Sequence, residues 1–177
     1  MEREPNDAGE LVSRRQQSPS PLATHEDDRG DLTEILHNHE LADDQFGQVY
    51  VVRDPLAGTI RAFHRHERLW DYFSIIQGKA MFWLVGNPSD CLPPEGTFVT
   101  ETSKYGTVWV VRYILGERPH KLLTVPPGVF HGWMSLASDT ILLSTGSEVY
   151  DSKNPDEERV SPNFFDGLNV SWEVVMK

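Results

Sequence analysis

The stretches GTIRAFHRHERLWDYFSIIQG at 58–78 and PPGVFHGW at 126–133 decide the fold. In the first, His64 and His66 are two residues apart within a run of apolar and aromatic residues that predicts a strand. Because strand side chains alternate between faces, both imidazoles are expected to point to the same side. His131 comes directly after the Pro-Pro-Gly turn of the second stretch. Buried imidazoles cost desolvation energy unless something uses them, so the three histidines predict a shared interior site.

Short segments rich in Val, Ile, Tyr, Phe and Trp follow one another from Leu32 onward, separated by Gly, Pro, Asn and Asp. We predict strands at 32–37, 47–54, 59–66, 71–77, 80–86, 107–115, 121–126, 131–137, 140–146 and 170–176. No segment has the pattern of a long helix. Many closely spaced strands without intervening helices predict an all-β fold, either an antiparallel sandwich or a barrel.

The domain organisation follows from composition. Residues 1–28 mix Glu, Arg, Gln, Ser and Pro without an apolar period, which predicts a flexible N-terminal segment, and residues 29–177 are predicted to form a single domain. The polar stretch at 87–106 is long for a connection, so it is either a lid or an insertion. The acidic run DSKNPDEER at 151–159 is interpreted as a solvated turn.

The charge balance excludes several classes of partner. The 177 residues contain 27 acidic and 16 basic side chains, a formal net charge of −11. Such a chain repels phosphate backbones and anionic lipids, so we expect no nucleic acid partner and no membrane association. Any anionic ligand must meet a local arginine. A single cysteine, Cys91, cannot form an intrachain disulfide, which favours a reducing compartment, with the cytoplasm as the default.

The spacing of the two deciding stretches resembles the cupin signature, through Gly58, His64, His66, Asp71, Gly78, Pro126, Gly128 and His131. Asp71 stands where metal-binding cupins usually carry Glu. The resemblance implies a cupin-type double-stranded β-helix, a jelly-roll barrel with its site inside. It leaves the reaction open, because this fold hosts many chemistries.

A second resemblance narrows the function. Five segments in order are similar to the dTDP-4-dehydrorhamnose 3,5-epimerase family of dTDP-sugar isomerases: DDRGDLTEIL (27–36), GQVYVV (47–52), GTIRAFHRH (58–66), PPGVFHGW (126–133) and SEVYDSKNPDEERVSP (147–162). The resemblance implies an isomerase without a cofactor that removes protons next to the ketone of a nucleotide-linked 4-keto-6-deoxyhexose. It also implies a homodimer, in which N-terminal strands exchange between subunits.

The same resemblance assigns roles to residues. Arg29 would bind the diphosphate and Glu34 would lie near the thymine. His64 would be the general base, and Arg61 would stabilise the enolate. Arg61 precedes His64 by three residues, so a regular strand would place the two side chains on opposite faces, and a bulge or twist is required.

The remaining expected site residues line the sugar. His131 would lie across the cavity from His64, and Tyr150 would act at the sugar pocket as a second catalytic residue. Ser144 occupies the position of the family's acidic tyrosine, and Asp71 that of a lysine beside the ketone. Together with His66, these residues complete the expected substrate-binding set.

Three alternatives stay open. The motif formed by Arg61, His64 and His66 also resembles sugar-nucleotide 3,4-ketoisomerases, which relay a proton between neighbouring carbons. A divalent-metal-dependent cupin would use His64, His66, Asp71 and His131 as ligands. Because a ligating histidine is no free base, the metal enzyme and the metal-free epimerase exclude each other at His64. A non-catalytic nucleotide-sugar binder would explain the serine at 144.

Overall fold

A computed structural model of the chain describes residues 18–41, 45–97, 99–102 and 104–174. Within these ranges the secondary structure consists of thirteen strands and two short 3-10 turns, Asn38–Glu40 and Asp166–Leu168. The strands are β1 Ser20–Pro21, β2 Thr24–Asp27, β3 Gly30–Thr33, β4 Gln48–Asp54, β5 Ile60–Arg65, β6 Asp71–Gln77, β7 Lys79–Gly86, β8 Val99–Thr102, β9 Gly106–Gly116, β10 Lys121–Val125, β11 Phe130–Ser135, β12 Thr140–Gly146 and β13 Glu158–Arg159. In this part of the chain, no helix has the length and apolar character that a membrane span requires.

Two antiparallel sheets make the body of the protein. One has the strand order β1-β10-β6-β12-β4 and the other the order β13-β5-β11-β7-β9-β8. Apolar side chains from both sheets pack together, among them Phe73 and Leu142 from the first and Phe82, Leu84 and Trp109 from the second. This arrangement confirms the predicted all-β cupin fold, a double-stranded β-helix.

Strand β7 is buried on both faces, with only Lys79 exposed. Its even-numbered side chains face the core, whereas Trp83 and Val85 belong to a second apolar cluster with Phe165 and Val170 of the C-terminal segment. A strand covered on both sides needs apolar residues at nearly every position, which explains the continuous run AMFWLVG.

The structure corrects two of the predicted strands. The strand predicted at 32–37 ends at Thr33, and beyond it Glu40 accepts a hydrogen bond from the backbone of His37 in a 3-10 turn. The strand predicted at 170–176 is irregular over 170–174, and its last residues lie outside the described ranges. Its apolar residues pack on the outer sheet face and its backbone bonds a side chain, since Trp83 Nε1 donates to the Ser171 carbonyl at 2.9 Å.

The chain around the predicted domain boundary has backbone partners. Strand β1 pairs with β10, and β2 and β3 form an antiparallel hairpin whose turn contains the boundary between residues 28 and 29. The rest of the predicted flexible segment, residues 1–17, lies outside the described ranges. The polar stretch at 87–106 includes β8, which pairs with β9, so part of it extends the larger sheet.

Candidate active site

A cavity of about 680 Å³ opens between the two sheets. One wall comes from β4, β6 and β12, and the other from β5 and β11. Residues on these strands and on the segment after β12 line it: Gln48, Tyr50, Val52, Ile60, Arg61, Ala62, Phe63, His64, His66, Leu69, Asp71, Phe73, Trp133, Leu142, Gly146, Tyr150, Glu157, Arg159 and Val160. A cavity of this volume accommodates a small organic ligand.

A bulge in β5 brings the expected base and its arginine to the same wall. His131 pairs with His64 and Trp133 pairs with Arg61, so two residue steps on β11 match three on β5. The extra residue reverses the alternation, and both Arg61 and His64 line the cavity. The bulge is tightly packed, because a Cβ on Gly132 would lie 2.2 Å from the Cβ of Ala62.

Arg61 is held by a buried carboxylate. Asp54 has no solvent exposure, and its Oδ1 accepts from Arg61 Nε and Nη2, each at 2.9 Å. The other oxygen, Oδ2, is buried without a hydrogen bond within the described structure. A fixed guanidinium at the cavity wall is suited to meeting developing negative charge on a ligand.

Four ionisable side chains meet beside this wall. Ring nitrogens of His64, His66 and His131 and a carboxylate oxygen of Asp71 all lie within 4.8 Å of one another. Asp71 Oδ2 is 3.4 Å from His66 Nε2 and 3.3 Å from His131 Nε2, and the rings of His64 and His131 are 4.2 Å apart. The structure therefore brings together the four residues expected for a metal site. The expected position of His131 across the cavity is wrong, because it pairs with His64 on the neighbouring strand β11, is buried and does not line the cavity.

The hydrogen bonds of two of these rings determine their tautomers. His131 Nδ1 lies 3.0 Å from the Val129 carbonyl, and His66 Nδ1 contacts the Asp156 carbonyl. A carbonyl only accepts, so both Nδ1 atoms must carry a proton. In the neutral rings both Nε2 lone pairs then face Asp71 Oδ2, which has no hydrogen bond within the described structure. Either a proton or a cation must lie between these acceptor atoms.

His64 is kept neutral by its surroundings. Burial lowers its pKa far below the usual histidine range, and the neighbouring His131, His66 and Arg159 lower it further. A neutral imidazole has one free lone pair, which can accept a proton or bind a metal ion. The group is therefore in the charge state that either role requires.

The acidic run at 151–159, predicted to be a solvated turn, is exposed at both ends, but Asp156 and Glu157 are half-buried and Glu158–Arg159 form β13. The Asp156 carboxylate accepts hydrogen bonds from the backbone N–H groups of Glu67, Arg68 and Leu69 at 3.0–3.2 Å. Burial would raise the pKa of Asp156, but these three bonds outweigh it and lower the pKa. Arg159 pairs with His64 across β13 and β5 and lines the cavity. The segment therefore closes one side of the site.

The opposite wall carries a phenol. In β4, Tyr50 lines the cavity between Gln48 and Val52 and is 43% exposed, whereas Val49 and Val51 are exposed without lining it. Burial raises the pKa of Tyr50 and the charge of Asp71 adds to the rise, while the Ser144 hydroxyl opposes it. The phenol therefore keeps its proton at neutral pH.

The structure separates the other expected residues. Tyr150 lines the cavity and its backbone N–H donates to the Gln48 side chain at 3.1 Å, whereas Ser144 is fully buried and does not line the cavity. Arg29 lies in the β2–β3 turn, where its Nε donates to Asp27 at 3.1 Å. Glu34 lies 3.3 Å from His25. Neither Arg29 nor Glu34 lines this cavity.

Four polar residues of the cavity wall were not predicted from the sequence: Gln48, Tyr50, Glu157 and Arg159. Gln48 and Tyr50 could have been predicted from the sequence, because positions 48, 50 and 52 of GQVYVV lie two apart and share one face of a strand. The other two lie in a segment whose acidic composition suggested solvent.

Comparisons with known proteins agree with this architecture. The spore coat polysaccharide biosynthesis protein SpsL of Bacillus subtilis is 31% identical over 141 residues, which cover 78% of this chain and 83% of SpsL. The probable low-salt glycan biosynthesis epimerase Agl13 of Haloferax volcanii is 26% identical over 143 residues, covering 78% of this chain and 82% of Agl13.

Among solved structures, the dTDP-4-dehydrorhamnose 3,5-epimerase of Bacillus anthracis str. Ames, with TDP and PPi bound, superposes with a TM-score of 0.66 at 24% identity, covering 88% of this chain and 84% of that one. No family model matches the chain. The identity with SpsL extends over most of both chains, and the fold is that of the epimerase. The chain belongs to the dTDP-4-dehydrorhamnose 3,5-epimerase family of cupins, the dTDP-sugar isomerases.

Proposed function

We propose that the protein is a dTDP-sugar epimerase that acts on a 4-keto-6-deoxyhexose nucleotide by removing a proton from a carbon next to the ketone. The observation that carries the proposal is the bulge in β5, which places a neutral His64 and a positioned Arg61 on one wall of the cavity. Removing an acidic C–H proton requires a base with a free lone pair and a cation near the ketone oxygen.

The two residues divide this work. One nitrogen of His64 takes the proton as the C–H electron pair moves toward the ketone oxygen. Arg61 then faces the enolate oxygen, and Asp54 holds the guanidinium through two of its nitrogens so that it need not reorganise during the reaction. The charge that develops is thus met by a group already in place.

The nucleotide half of the substrate needs further cations, and Arg29 is outside the cavity of its own chain. We propose a homodimer in which the β2–β3 hairpin brings Arg29 to the partner's cavity. The hairpin is exposed along both strands except for half-buried Thr33, and Leu32 is 60% exposed, as expected of a surface that another subunit covers. The cytoplasmic location expected from the sequence stays a prediction.

Proton NMR of dTDP-4-keto-6-deoxyglucose with the protein in deuterated water tests the reaction, because each acidic carbon is observed separately. We expect deuterium to enter at C3 and C5, or at C3 alone, without dependence on a metal chelator. Exchange at C3 alone would indicate a 3-epimerase or a 3,4-ketoisomerase, which the spectrum of the product separates. The absence of exchange would refute the proposal for this sugar and favour a nucleotide-sugar binder.

A divalent-metal enzyme is the second candidate, and the acceptor cluster around Asp71 favours it. Three imidazoles and one carboxylate are a donor set that suits iron, manganese, nickel or zinc. The Nδ1–H bonds of His66 and His131 to backbone carbonyls are those that orient metal-binding histidines. Buried Asp71 Oδ2 and His131 Nε2, both without a hydrogen bond in the described residues, fit a bound cation.

In this case His64, His66, Asp71 and His131 would hold the ion, and the ion would supply Lewis-acid polarisation of a substrate oxygen. Elemental analysis of the purified protein separates the two candidates. Near-stoichiometric metal whose removal abolishes activity would refute the metal-free mechanism, because His64 would then be a ligand.

A further inference from the structure

Inversion at a carbon requires two groups on opposite faces of the sugar. A base removes the proton from one face, and an acid must return a proton to the other, since return from the same face regenerates the starting configuration. His64 lies on the wall formed by β5 and β11. The acid must therefore stand on the wall formed by β4, β6 and β12. This reasoning rests on the proposed epimerase function.

Strand β4 presents a proton donor to the cavity. Gln48, Tyr50 and Val52 line the cavity, although Tyr50 is also 43% exposed, whereas Val49 and Val51 are 54% and 57% exposed and do not line it. Because β4 and β5 belong to different sheets, the phenol of Tyr50 and the imidazole of His64 project into the cavity from different walls. A sugar ring between them would present one face to each group.

The register of the sheet explains why the serine at 144 and the tyrosine at 50 occur together. Ser144 in β12 is the direct cross-strand partner of Tyr50 in β4. Ser144 is fully buried and lies outside the cavity wall, and its hydroxyl has no hydrogen bond within the described residues. A serine hydroxyl is a far weaker acid than a phenol, whose ordinary pKa is about 10. The small side chain at 144 leaves space for a large one on the neighbouring strand.

We propose that Tyr50 is the proton donor on the face of the sugar opposite His64. In the first step the C–H bond breaks, His64 gains the proton, and the electron pair forms the enolate. In the second step the enolate carbon takes the phenolic proton of Tyr50, so a new C–H bond forms and the O–H bond breaks. Tyrosinate and imidazolium then return to their neutral forms as one proton passes from His64 to Tyr50 through solvent.

Tyr150 is the competing donor, because it also lines the cavity. The two side chains have similar exposure, 55% for Tyr150 and 43% for Tyr50, but Tyr150 lies in the irregular segment after β12, whereas Tyr50 lies within a paired strand that fixes its direction. A proton must be delivered to one defined carbon, so a donor on a paired strand suits the task better than one on an irregular segment.

The experiment compares Tyr50→Phe with Tyr150→Phe and with Tyr113→Phe as a matched control. Tyr113 lies in β9 away from the cavity, and its hydroxyl contacts Ser18 at 3.3 Å. Each variant is incubated with dTDP-4-keto-6-deoxyglucose in deuterated water, and NMR follows deuterium incorporation and formation of the inverted product separately. In Tyr50→Phe we expect inversion to fall at least 100-fold while deuterium still enters the recovered substrate, since His64 continues to remove the proton.

Each other result would overturn the assignment. Full inversion by Tyr50→Phe would exclude the phenol, and parallel loss of exchange and inversion would show that Tyr50 serves binding or folding instead. If Tyr150→Phe alone separates exchange from inversion, Tyr150 is the donor. The wild-type protein separates failure of the Tyr50 assignment from failure of the proposed epimerase function. If the wild type itself shows no deuterium exchange, the epimerase proposal is refuted, and there is no inversion for Tyr50 to complete.

Discussion

Replacing Gly132 by alanine is expected to disable the site from a position that does not line the cavity. The added Cβ would lie 2.2 Å from Ala62 Cβ, 2.7 Å from Ala62 Cα and 3.0 Å from the Arg61 carbonyl oxygen. Two non-bonded carbons rest about 3.5 Å apart, so relieving the first contact requires a shift of about 1.3 Å. The residues that must move are the bulge that carries Arg61 and His64.

The size of the effect follows from this displacement. Overpacking of this kind costs about 1–3 kcal/mol of folding free energy. Misplacement of catalytic groups by about 1 Å can cost roughly 100-fold in rate. We therefore expect Gly132→Ala to lower kcat about 100-fold and to lower Tm by several degrees, with the fold retained.

Steady-state kinetics on the 4-keto sugar nucleotide and thermal melts followed by circular dichroism measure both quantities. Gly167→Ala is the matched control, because a Cβ at Gly167 meets nothing within 4 Å. Adding Ala62→Gly to Gly132→Ala removes the 2.2 Å contact but leaves the two longer ones, so it should restore activity only in part. Wild-type kcat in Gly132→Ala would refute the view that the tight bulge positions the site.

Three further outcomes follow from the site. With a chelator present, the free energy of unfolding should fall by up to about 1.4 kcal/mol per pH unit as the pH drops below about 6.5. The cause is that His64 binds a proton in the unfolded chain but not in its buried position, where its pKa is lowered, so stability rises with pH. His64→Asn should remove this part of the slope in urea titrations at several pH values and abolish turnover; an unchanged slope would contradict the assignment. Asp54→Asn should lower kcat roughly tenfold, equivalent to about 1.4 kcal/mol, since Arg61 loses its charged partner; wild-type kinetics would show that Arg61 needs no anchor. If the cluster binds metal, Asp71→Asn should lower the affinity for Mn²⁺ or Zn²⁺, measured by calorimetry, by at least roughly 10- to 100-fold, which is the loss seen when a residue that only supports a metal ligand is removed. An unchanged affinity would place the ion elsewhere.

The sequence predicts the fold and the central histidines because both depend on local alternation. Nearly every strand between residues 47 and 146 is predicted by the pattern of apolar residues and the turn residues between them. His64 and His66 lie on the same side, as their two-residue spacing requires. The strand predicted at 170–176 fails for a physical reason. Its apolar side chains are buried by packing on the outer face of the sheet, and this packing does not require the backbone to pair with a neighbouring strand.

The rest of the site depends on contacts that no local pattern encodes. The bulge in β5 is a relation between two strands, visible only when the register of His131 and Trp133 is known. The alternation of GQVYVV shows which residues share a face, but only the pairing of Tyr50 with Ser144 places the phenol beside the serine. An acidic composition at 156–159 suggests solvent, and the half-buried position of Asp156 follows from backbone groups 87–89 residues earlier that its carboxylate binds.

Asp156 joins two distant parts of the chain at one point. Its carboxylate holds the turn between β5 and β6, and its carbonyl orients the ring of His66, 90 residues earlier. Beyond it, β13 pairs with β5, and Phe165 and Val170 cover the outer face of the same sheet. A chain that stops near residue 150 would lack β13 and the contacts of Asp156, so His66 would be unaligned and the cavity open on one side. The geometry of the site therefore depends on the docking of a segment that contributes little to the sheets themselves.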